Sequence, residues 1–312
     1  MPLHVGKASA ILIRTLPYVV LRILIYAAFG FLFLLYWFLV YLLGQAVAHL
    51  HENIRIGVWL VALFLPFPII KFFREYILYV VKAGHLAVIA ELASKGSLPD
   101  GINQISWGKE QVVNRFKETS VLFVVDRLVL GVIGTVNSIM YSMGSMFSGI
   151  PGMEGMMSFA RTVLRFSLTY MDESILARNF IKPQESVWES AKNGVILYAQ
   201  SWKEILKTAL MLGVLSILSY AILLALYFIP AYALIKAYPA LQWVWILSAF
   251  TFAWITKLAL LDPFCLTNMV IVYLKETEGK IPDRTWEGKL EAASGKFREL
   301  KQKALESAGL TR

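Results

Sequence analysis

Charged side chains inside apolar segments are the residues of this sequence whose types and spacing could do chemistry. An ionisable group at bilayer depth costs about 2.5 to 3.5 kcal/mol on insertion scales, so such residues mark ion pairs, lipid sites or substrate paths. Two apolar runs, separated by a turn at residues 149–152, carry most of them. The first run contains Asp126 and Arg127, and the second contains Arg161, Arg165, Asp172 and Glu173.

Matched depth on the two runs predicts an intramembrane ion pair. If the chain turns near Ile150, positions equally far from the turn lie at the same level, which brings Asp126 and Arg127 opposite Asp172 and Glu173. Arg127 can then pair with a carboxylate of the second run. Such a pair either joins two helices near the interface or forms part of a functional site.

Arg161 and Arg165 predict a site for a negatively charged group. They lie one helical turn apart on one face, and their like charges repel unless an anion binds between them. The alternative is that residues 153–175 form an interfacial helix rather than a span, with both arginines on lipid phosphates. Asn137 lies at the same depth and can hydrogen-bond, and Lys257 adds a third cation. Substrate or lipid binding is predicted at these four residues: Arg161, Arg165, Asn137 and Lys257.

The segments that must position these residues are membrane helices. The chain of 312 residues is 58% hydrophobic and 16% charged, with a mean hydropathy of +0.62, which is too apolar for a soluble domain. Its apolar runs match the roughly 20 residues that span the hydrocarbon core. We predict an all-α fold, a polytopic transmembrane helical bundle of about six spans with interfacial amphipathic helices and a cytoplasmic C-terminal helix.

The predicted boundaries follow from the apolar runs and from the charges between them. The spans are predicted at about residues 18–45, 56–74, 120–147, 153–175, 206–229 and 241–261. They belong to a transmembrane domain of residues 1–274, which includes a cytoplasmic loop at 75–119. Residues 275–312 are predicted to form a cytoplasmic tail, because the composition becomes polar there.

The distribution of Lys and Arg predicts the orientation in the membrane. With six spans, 24 of the 30 basic residues lie on the flanks that share a side with the termini, and only Arg55 and Lys236 lie on the opposite flanks. The positive-inside rule then places both termini in the cytoplasm. The net charge of +9 favours anionic lipid headgroups as partners over nucleic acid, because the basic residues lie beside apolar runs.

The tail sequence predicts an amphipathic helix. Six residues recur at alternating steps of four and three with charged residues between them: Trp286, Leu290, Ala293, Phe297, Leu300 and Ala304. This seam either docks on the chain's own cytoplasmic loops or binds a cytoplasmic protein through residues 283–308. A ladder of small residues, Gly134, Ser138 and Ser142, allows close approach of another helix, within the chain or from a second copy in a homo-oligomer.

Catalytic and metal-binding motifs are missing from the sequence. It contains no Gly-rich phosphate loop, no His-Glu-x-x-His and no Gly-x-Ser-x-Gly. Cys265 is the only cysteine, so neither an intrachain disulfide nor a cysteine metal cluster can form. We therefore predict no catalytic residue, no metal and no cofactor.

The segment from Tyr170 to Lys207 carries a family resemblance. It reads Tyr-Met-Asp-Glu-Ser-Ile-Leu-Ala-Arg-Asn-Phe, followed by Ser190-Ala191-Lys192-Asn193-Gly194. It resembles the late part of choline transporter-like membrane proteins, in which a short cytoplasmic stretch precedes a helix of this type and another span. The resemblance implies a carrier for a small amine or a lipid-related solute, with residues 190–194 as the matching positions.

Transport or permeation of a small solute or lipid-related molecule is the function that these observations favour. The alternative is a non-transporting membrane scaffold or assembly factor that recruits partners through its cytoplasmic loop and tail. A lipid-modifying enzyme, which would use Asp172 or Glu173, is a third class. Neutralising Arg161 and Arg165 separates the first two classes, because a scaffold would tolerate that change.

Overall fold

The computed structural model of the chain describes residues 3–47, 52–66, 68, 78–116, 119–144 and 170–309. Within these residues the fold is all-α and contains no β-strand, which confirms the predicted class. The chain divides into two compact units. The first unit combines Met1–Leu16, Ala83–Ser216 and Pro263–Arg312, and the second combines Pro17–Lys82 and Ile217–Asp262.

The described residues form thirteen α-helices. They are α1 Val5–Arg14, α2 Leu16–Val47, α3 Glu52–Phe64, α4 Tyr79–Lys95, α5 Gln104–Phe116, α6 Thr119–Gly144, α7 at residues 170–181, α8 Val187–Gln200 and α9 Trp202–Ala237. A 3-10 turn, Pro239–Leu241, precedes α10 Gln242–Thr256. A π-helical turn, Lys257–Leu261, joins α10 to α11 Asp262–Thr277, and α12 Arg284–Ala293 and α13 Gly295–Ser307 follow.

The first unit has a closely packed interior. Ile89 on α4, Ile175 on α7 and Ile196 on α8 are fully buried. Gly194 lies at a close approach, because a Cβ there would be only 2.8 Å from Cγ2 of Ile175 and 3.1 Å from the Tyr273 hydroxyl. Packing of this density, with buried polar groups bonded inside it, is typical of the interior of a globular domain.

The C-terminal helices dock on the first unit itself. Helix α13 packs against both α6 and α8, and its Phe297 and Leu300 are fully buried. Ser294 caps α13 by accepting a hydrogen bond from the Phe297 backbone N–H, and Thr135 of α6 donates to its hydroxyl at 3.3 Å. The predicted tail helix is therefore present and lies on the chain's own helices. Ala293 departs from the predicted seam and is exposed, because the helix breaks there and Ser294 takes the buried position.

The second unit exposes large apolar side chains over most of its helical surface. Leu24 and Phe31 on α2 are 63% and 65% exposed, and Ile229 on α9 is 68% exposed. Inside the unit, α2 approaches α10 at Gly30, where a Cβ would clash with Ile255. Helices with continuous apolar outer surfaces are stable only where lipid is the solvent. The surface of the second unit is therefore typical of an integral membrane protein.

Four described helical stretches are long and apolar enough to cross a membrane. They are α2, residues 121–138 of α6, α9, and the continuous stretch Pro239–Thr277. These stretches identify a multi-pass membrane protein. The predicted total of six spans stays a prediction, because parts of the predicted spans 56–74 and 153–175 lie outside the described residues. The cytoplasmic location of the termini stays a prediction.

Two helix ends differ from the sequence prediction. Helix α9 continues through Pro230 to Ala237, beyond the predicted end near Phe228, because a lipid-facing helix tolerates a proline. At Asp262 and Pro263 the last predicted span does not end. It passes through the π-helical turn, where the missing N–H of Pro263 interrupts the regular ladder of hydrogen bonds, and continues as α11.

Candidate functional site

Two cationic side chains of the second unit are buried inside its apolar helices. Arg22 on α2 is 3% exposed, and Lys257 in the π-helical turn is 7% exposed. Val20 and Leu24, on either side of Arg22 along α2, are 49% and 63% exposed and form part of the apolar outer surface. Both cations therefore lie at a level where the helices already face lipid.

The π-helical turn brings Lys257 to its counter-ion. In a regular α-helix, residues five apart point about 140° away from each other. The wider π turn realigns them, so that Lys257 Nζ lies 2.8 Å from Asp262 Oδ1. The ammonium group also lies 5.2 Å from the ring centroid of Trp254. Lys257 is thus neutralised by the protein itself.

Arg22 binds the same turn but is not neutralised there. Its Nη2 donates to the Leu258 backbone carbonyl at 2.9 Å, and its guanidinium lies 5.9 Å from the ring centroid of Tyr26. The other two guanidinium nitrogens, Nε and Nη1, are buried and have no hydrogen-bond acceptor among the residues that the structure describes. The result is a buried guanidinium with spare donors beside an interrupted helix.

The structure describes two of the four residues of the predicted anion site, Asn137 and Lys257. Arg161 and Arg165 lie outside the described residues, so their role stays a prediction. Asn137 accepts a hydrogen bond at 2.8 Å from the Tyr198 hydroxyl, whose pKa is raised by burial and which therefore stays a donor. Lys257 forms an ion pair with Asp262, and its predicted role in anion binding stays a prediction.

The residues of the predicted intramembrane ion pair lie in the first unit. Asp172 and Glu173 of α7 are buried, and the Asp172 carboxylate accepts from the Glu173 backbone N–H at 2.8 Å. Asp126 is half-buried on α6, while Arg127 is exposed and its guanidinium carbon lies 4.8 Å from the Phe123 ring centroid. The pairing of Arg127 with Asp172 or Glu173 stays a prediction.

Sequence reasoning missed a second polar cluster, in the first unit between α7 and α8. Arg178 forms a bidentate ion pair with Glu185, one bond of which is 2.7 Å long, and also donates to the Ser190 hydroxyl at 3.0 Å. Arg115 of α5 donates to the Glu185 backbone carbonyl at 2.7 Å. The sequence signal that could have indicated this cluster is Pro183. It lies in the turn that follows α7, between the opposite charges of Arg178 and Glu185.

The cluster perturbs Glu185 in a definite direction. Burial by itself raises the pKa of this carboxyl group, but the hydrogen bonds and the charge of Arg178 outweigh burial and lower the pKa below its ordinary value. The ion pair closes the loop between α7 and α8, and Ser190 belongs to the positions 190–194 that carry the family resemblance. These residues act as packing and loop-closing groups in the first unit.

Within the described residues, no three His, Cys, Asp or Glu side chains come together as a metal site. Neither protein-family models, nor curated proteins, nor solved structures give a match to the chain. The fold and the buried cations define the class, an all-α integral membrane protein with an ionic cluster in its membrane unit.

Proposed function

We propose that the protein is a transporter or channel-like protein for a small solute or lipid-related molecule, and that Arg22 binds a negatively charged group of that molecule. The observation that carries the proposal is the pair of spare donors, Nε and Nη1, on a guanidinium that is 3% exposed. Leaving a buried donor unbonded costs about 1 to 3 kcal/mol, and more for a charged group. A second functional state, in which an anion accepts from these donors, offsets that cost.

The chemistry of the guanidinium restricts the ligand to a carboxylate or a phosphate. Its planar arrangement of N–H groups fits two oxygens of such an anion side by side, and it is charged at every physiological pH. The resemblance of residues 170–207 to choline transporter-like proteins supports a carrier for a small amine or lipid-related solute. A molecule that combines an amine with a phosphate or carboxylate satisfies both observations.

The interrupted helix beside Arg22 supports movement rather than static binding. Single π-helical turns occur frequently at functional sites, because they interrupt the regular ladder and present backbone carbonyls to other groups. The Leu258 carbonyl is bonded in this way to Arg22. Both spare donors of Arg22 are buried in this conformation, so a ligand can reach them only if α2 and α10 move apart. Helix movements of this kind occur in alternating-access transport.

Binding is tested on the full chain in phosphatidylcholine nanodiscs, with inorganic phosphate and phosphatidylglycerol as separate probes. At 100 times its Kd a ligand stabilises by about 2.7 kcal/mol, which corresponds to a rise in Tm of roughly 5 to 10 °C. Arg22→Gln should abolish the rise. Arg14→Gln is the matched control, because Arg14 is exposed and bonds to the Gly96 carbonyl, and it should keep the rise. Equal rises in both variants would contradict the proposal.

Transport is tested separately from binding in proteoliposomes. The measurement is the rate at which a fluorescent phosphatidylglycerol crosses the bilayer, together with the efflux of trapped inorganic phosphate. We expect at least one rate to exceed that of protein-free liposomes and to fall in Arg22→Gln. If the Arg22-dependent rise in Tm is present while both rates equal those of empty liposomes, the protein binds without transporting, and the scaffold alternative replaces this proposal.

A further inference from the structure

We infer that α6 does not cross the membrane, although its length and composition would allow it, and that it lies in water on the side of the basic flanks. The starting observation is the surface of α6. The residues of its apolar window that are exposed are Val124, Arg127, Gly134 and Ser138. At about 100° per residue these four fall on one stripe roughly 80° wide. Only one of them is a large apolar side chain.

Much of the remaining surface of α6 packs against other helices of the same chain, among them the strongly charged α13. Helix α13 packs on it so closely that a Cβ on Gly131, in the middle of the apolar window, would lie 3.0 Å from Cγ of Lys296. Thr135 donates to Ser294 on the same side. Six of the 13 residues of α13 are charged: Lys296, Arg298, Glu299, Lys301, Lys303 and Glu306.

A helix with this charge density cannot lie at bilayer depth. Lys296 and Glu299 pair with each other while their side chains stay 60% and 43% exposed, which places water around them. Charged side chains at the centre of a bilayer are rare, and they face a bundle interior or a water-filled cavity. Because α13 covers the middle of α6, water must reach the middle of α6 too. The apolar face of α6 is therefore a docking surface for the chain's own tail helix.

The distribution of charges along the chain agrees with this placement. The segments of the first unit, residues 1–16, 83–216 and 263–312, include 20 of the 24 flanking basic residues that the positive-inside rule assigns to one side. The second unit contributes two separate stretches, residues 17–82 and 217–262, and each leaves and returns to that side if it crosses the bilayer twice. Without α6, the described helical stretches that can cross are α2, α9 and the stretch that contains α10.

If α6 lies in water, Arg127 lies outside the membrane. Its exposed guanidinium then lies in water, where no buried counter-ion is needed to hold it. Any ion pair that it forms with Asp172 or Glu173 is an interaction of a water-exposed domain. The anion site proposed at Arg22 does not depend on this result, because Arg22 belongs to the second unit.

Cysteine labelling tests the placement directly. Gly134→Cys is well suited, because a Cβ there meets open space, and Ser138→Cys is a second, nearly isosteric position. Ile281→Cys, at a residue that is 82% exposed in the first unit, is the reference for water. Ile222→Cys, at a residue that is 61% exposed on the membrane part of α9, is the reference for lipid. The wild-type chain is the blank, because its single cysteine, Cys265, is buried.

A membrane-impermeant maleimide is added to sealed inside-out and right-side-out vesicles. We expect both α6 variants to label within about twofold of Ile281→Cys in inside-out vesicles, at least tenfold more than Ile222→Cys, and to stay unlabelled in right-side-out vesicles. Labelling of both α6 variants at the low level of Ile222→Cys, with Ile281→Cys fully labelled, would mean that α6 lies in lipid and would overturn the inference. Labelling from the outer face would overturn the assigned side.

Discussion

In the first unit Ile89, Ile196 and Phe297 are completely buried, whereas in the second unit Phe31, Phe64 and Ile229 are each about two thirds exposed, at 65%, 66% and 68%. Both units are helical and apolar, so composition does not separate them. The difference is the solvent. A helix in water must hide its apolar face against other helices, while a helix in lipid can leave it outside.

Helix α9 contains both a segment with buried apolar side chains and a segment with exposed ones. Ile205, Ala209 and Leu212, in its first half, are fully buried in the first unit, while Leu218, Ile222 and Leu226 are more than half exposed in the second. The change occurs within about two turns of helix, near Ile217. It indicates where the chain enters lipid, which no charged residue marks at that point in the sequence.

The largest loss of stability is expected from a substitution in the tail helix α13, which packs in the core of the first unit. Phe297→Ala removes a fully buried ring that packs between α6 and α8, and it should lower the free energy of unfolding by about 3 to 5 kcal/mol. The measurement is the urea midpoint for proteolysis of the purified full chain. Leu305→Ala, at a residue of α13 that is 37% exposed, is the control and should stay within about 0.5 kcal/mol. Equal midpoints for the two variants would mean that the tail is not part of the core.

A somewhat smaller effect is expected from a charge on the outer surface of the second unit. Leu226→Lys puts an ammonium group on the lipid-facing side of α9 and should cost about 2.5 to 3.5 kcal/mol of membrane insertion. Val124→Lys, on the exposed stripe of α6, should change stability by less than about 0.5 kcal/mol. The fraction of each variant that is integrated in membranes is the measurement. If Val124→Lys is lost from membranes as well, the contrast between the units fails at α6.

The smallest effect concerns the ion pair between α7 and α8. The folded-state pKa of Glu185 is lowered from the ordinary 4.5, so its contribution is fully present above pH 4.5 and is lost as the pH falls through the folded-state pKa. Glu185→Gln should destabilise the chain by about 1 to 3 kcal/mol at pH 7 and should weaken the loss of stability in acid. The measurement is Tm against pH.

The control for that variant is Glu299→Gln. Glu299 also forms an ion pair, with Lys296, but solvent reaches both partners, so the change should be within about 1 kcal/mol at every pH. A wild-type acid profile in Glu185→Gln would show that the Arg178 pair does not carry the pH dependence.

The membrane class and the helical fold could be predicted from the sequence because apolar runs of the length of α2 and α9 have no other stable solution. The environment of α6 could not, since a buried core helix and a transmembrane helix have the same apolar pattern. The helices that pack against α6 determine its environment, and α13 lies about 150 residues further along the chain.

The candidate site was missed for a related reason. Arg22 counts as a flanking basic residue in the sequence, because it precedes the long uncharged run of α2. Its burial depends on α10, and the ion pair of Lys257 depends on a π turn that follows no simple pattern of residues. Asp126, Arg127, Asp172 and Glu173, which the sequence does single out, belong to the first unit instead.

The docking of α13 on α6 also sets an order of events during synthesis. At roughly 5 to 20 residues per second, the ribosome needs about 8 to 30 s to extend the chain from Gly144, where α6 ends, to Gly295, where α13 begins. During that interval α6 has been made but its cover has not. A long apolar helix is then available to the membrane-insertion machinery and to chaperones, and it is covered only after α13 has been translated.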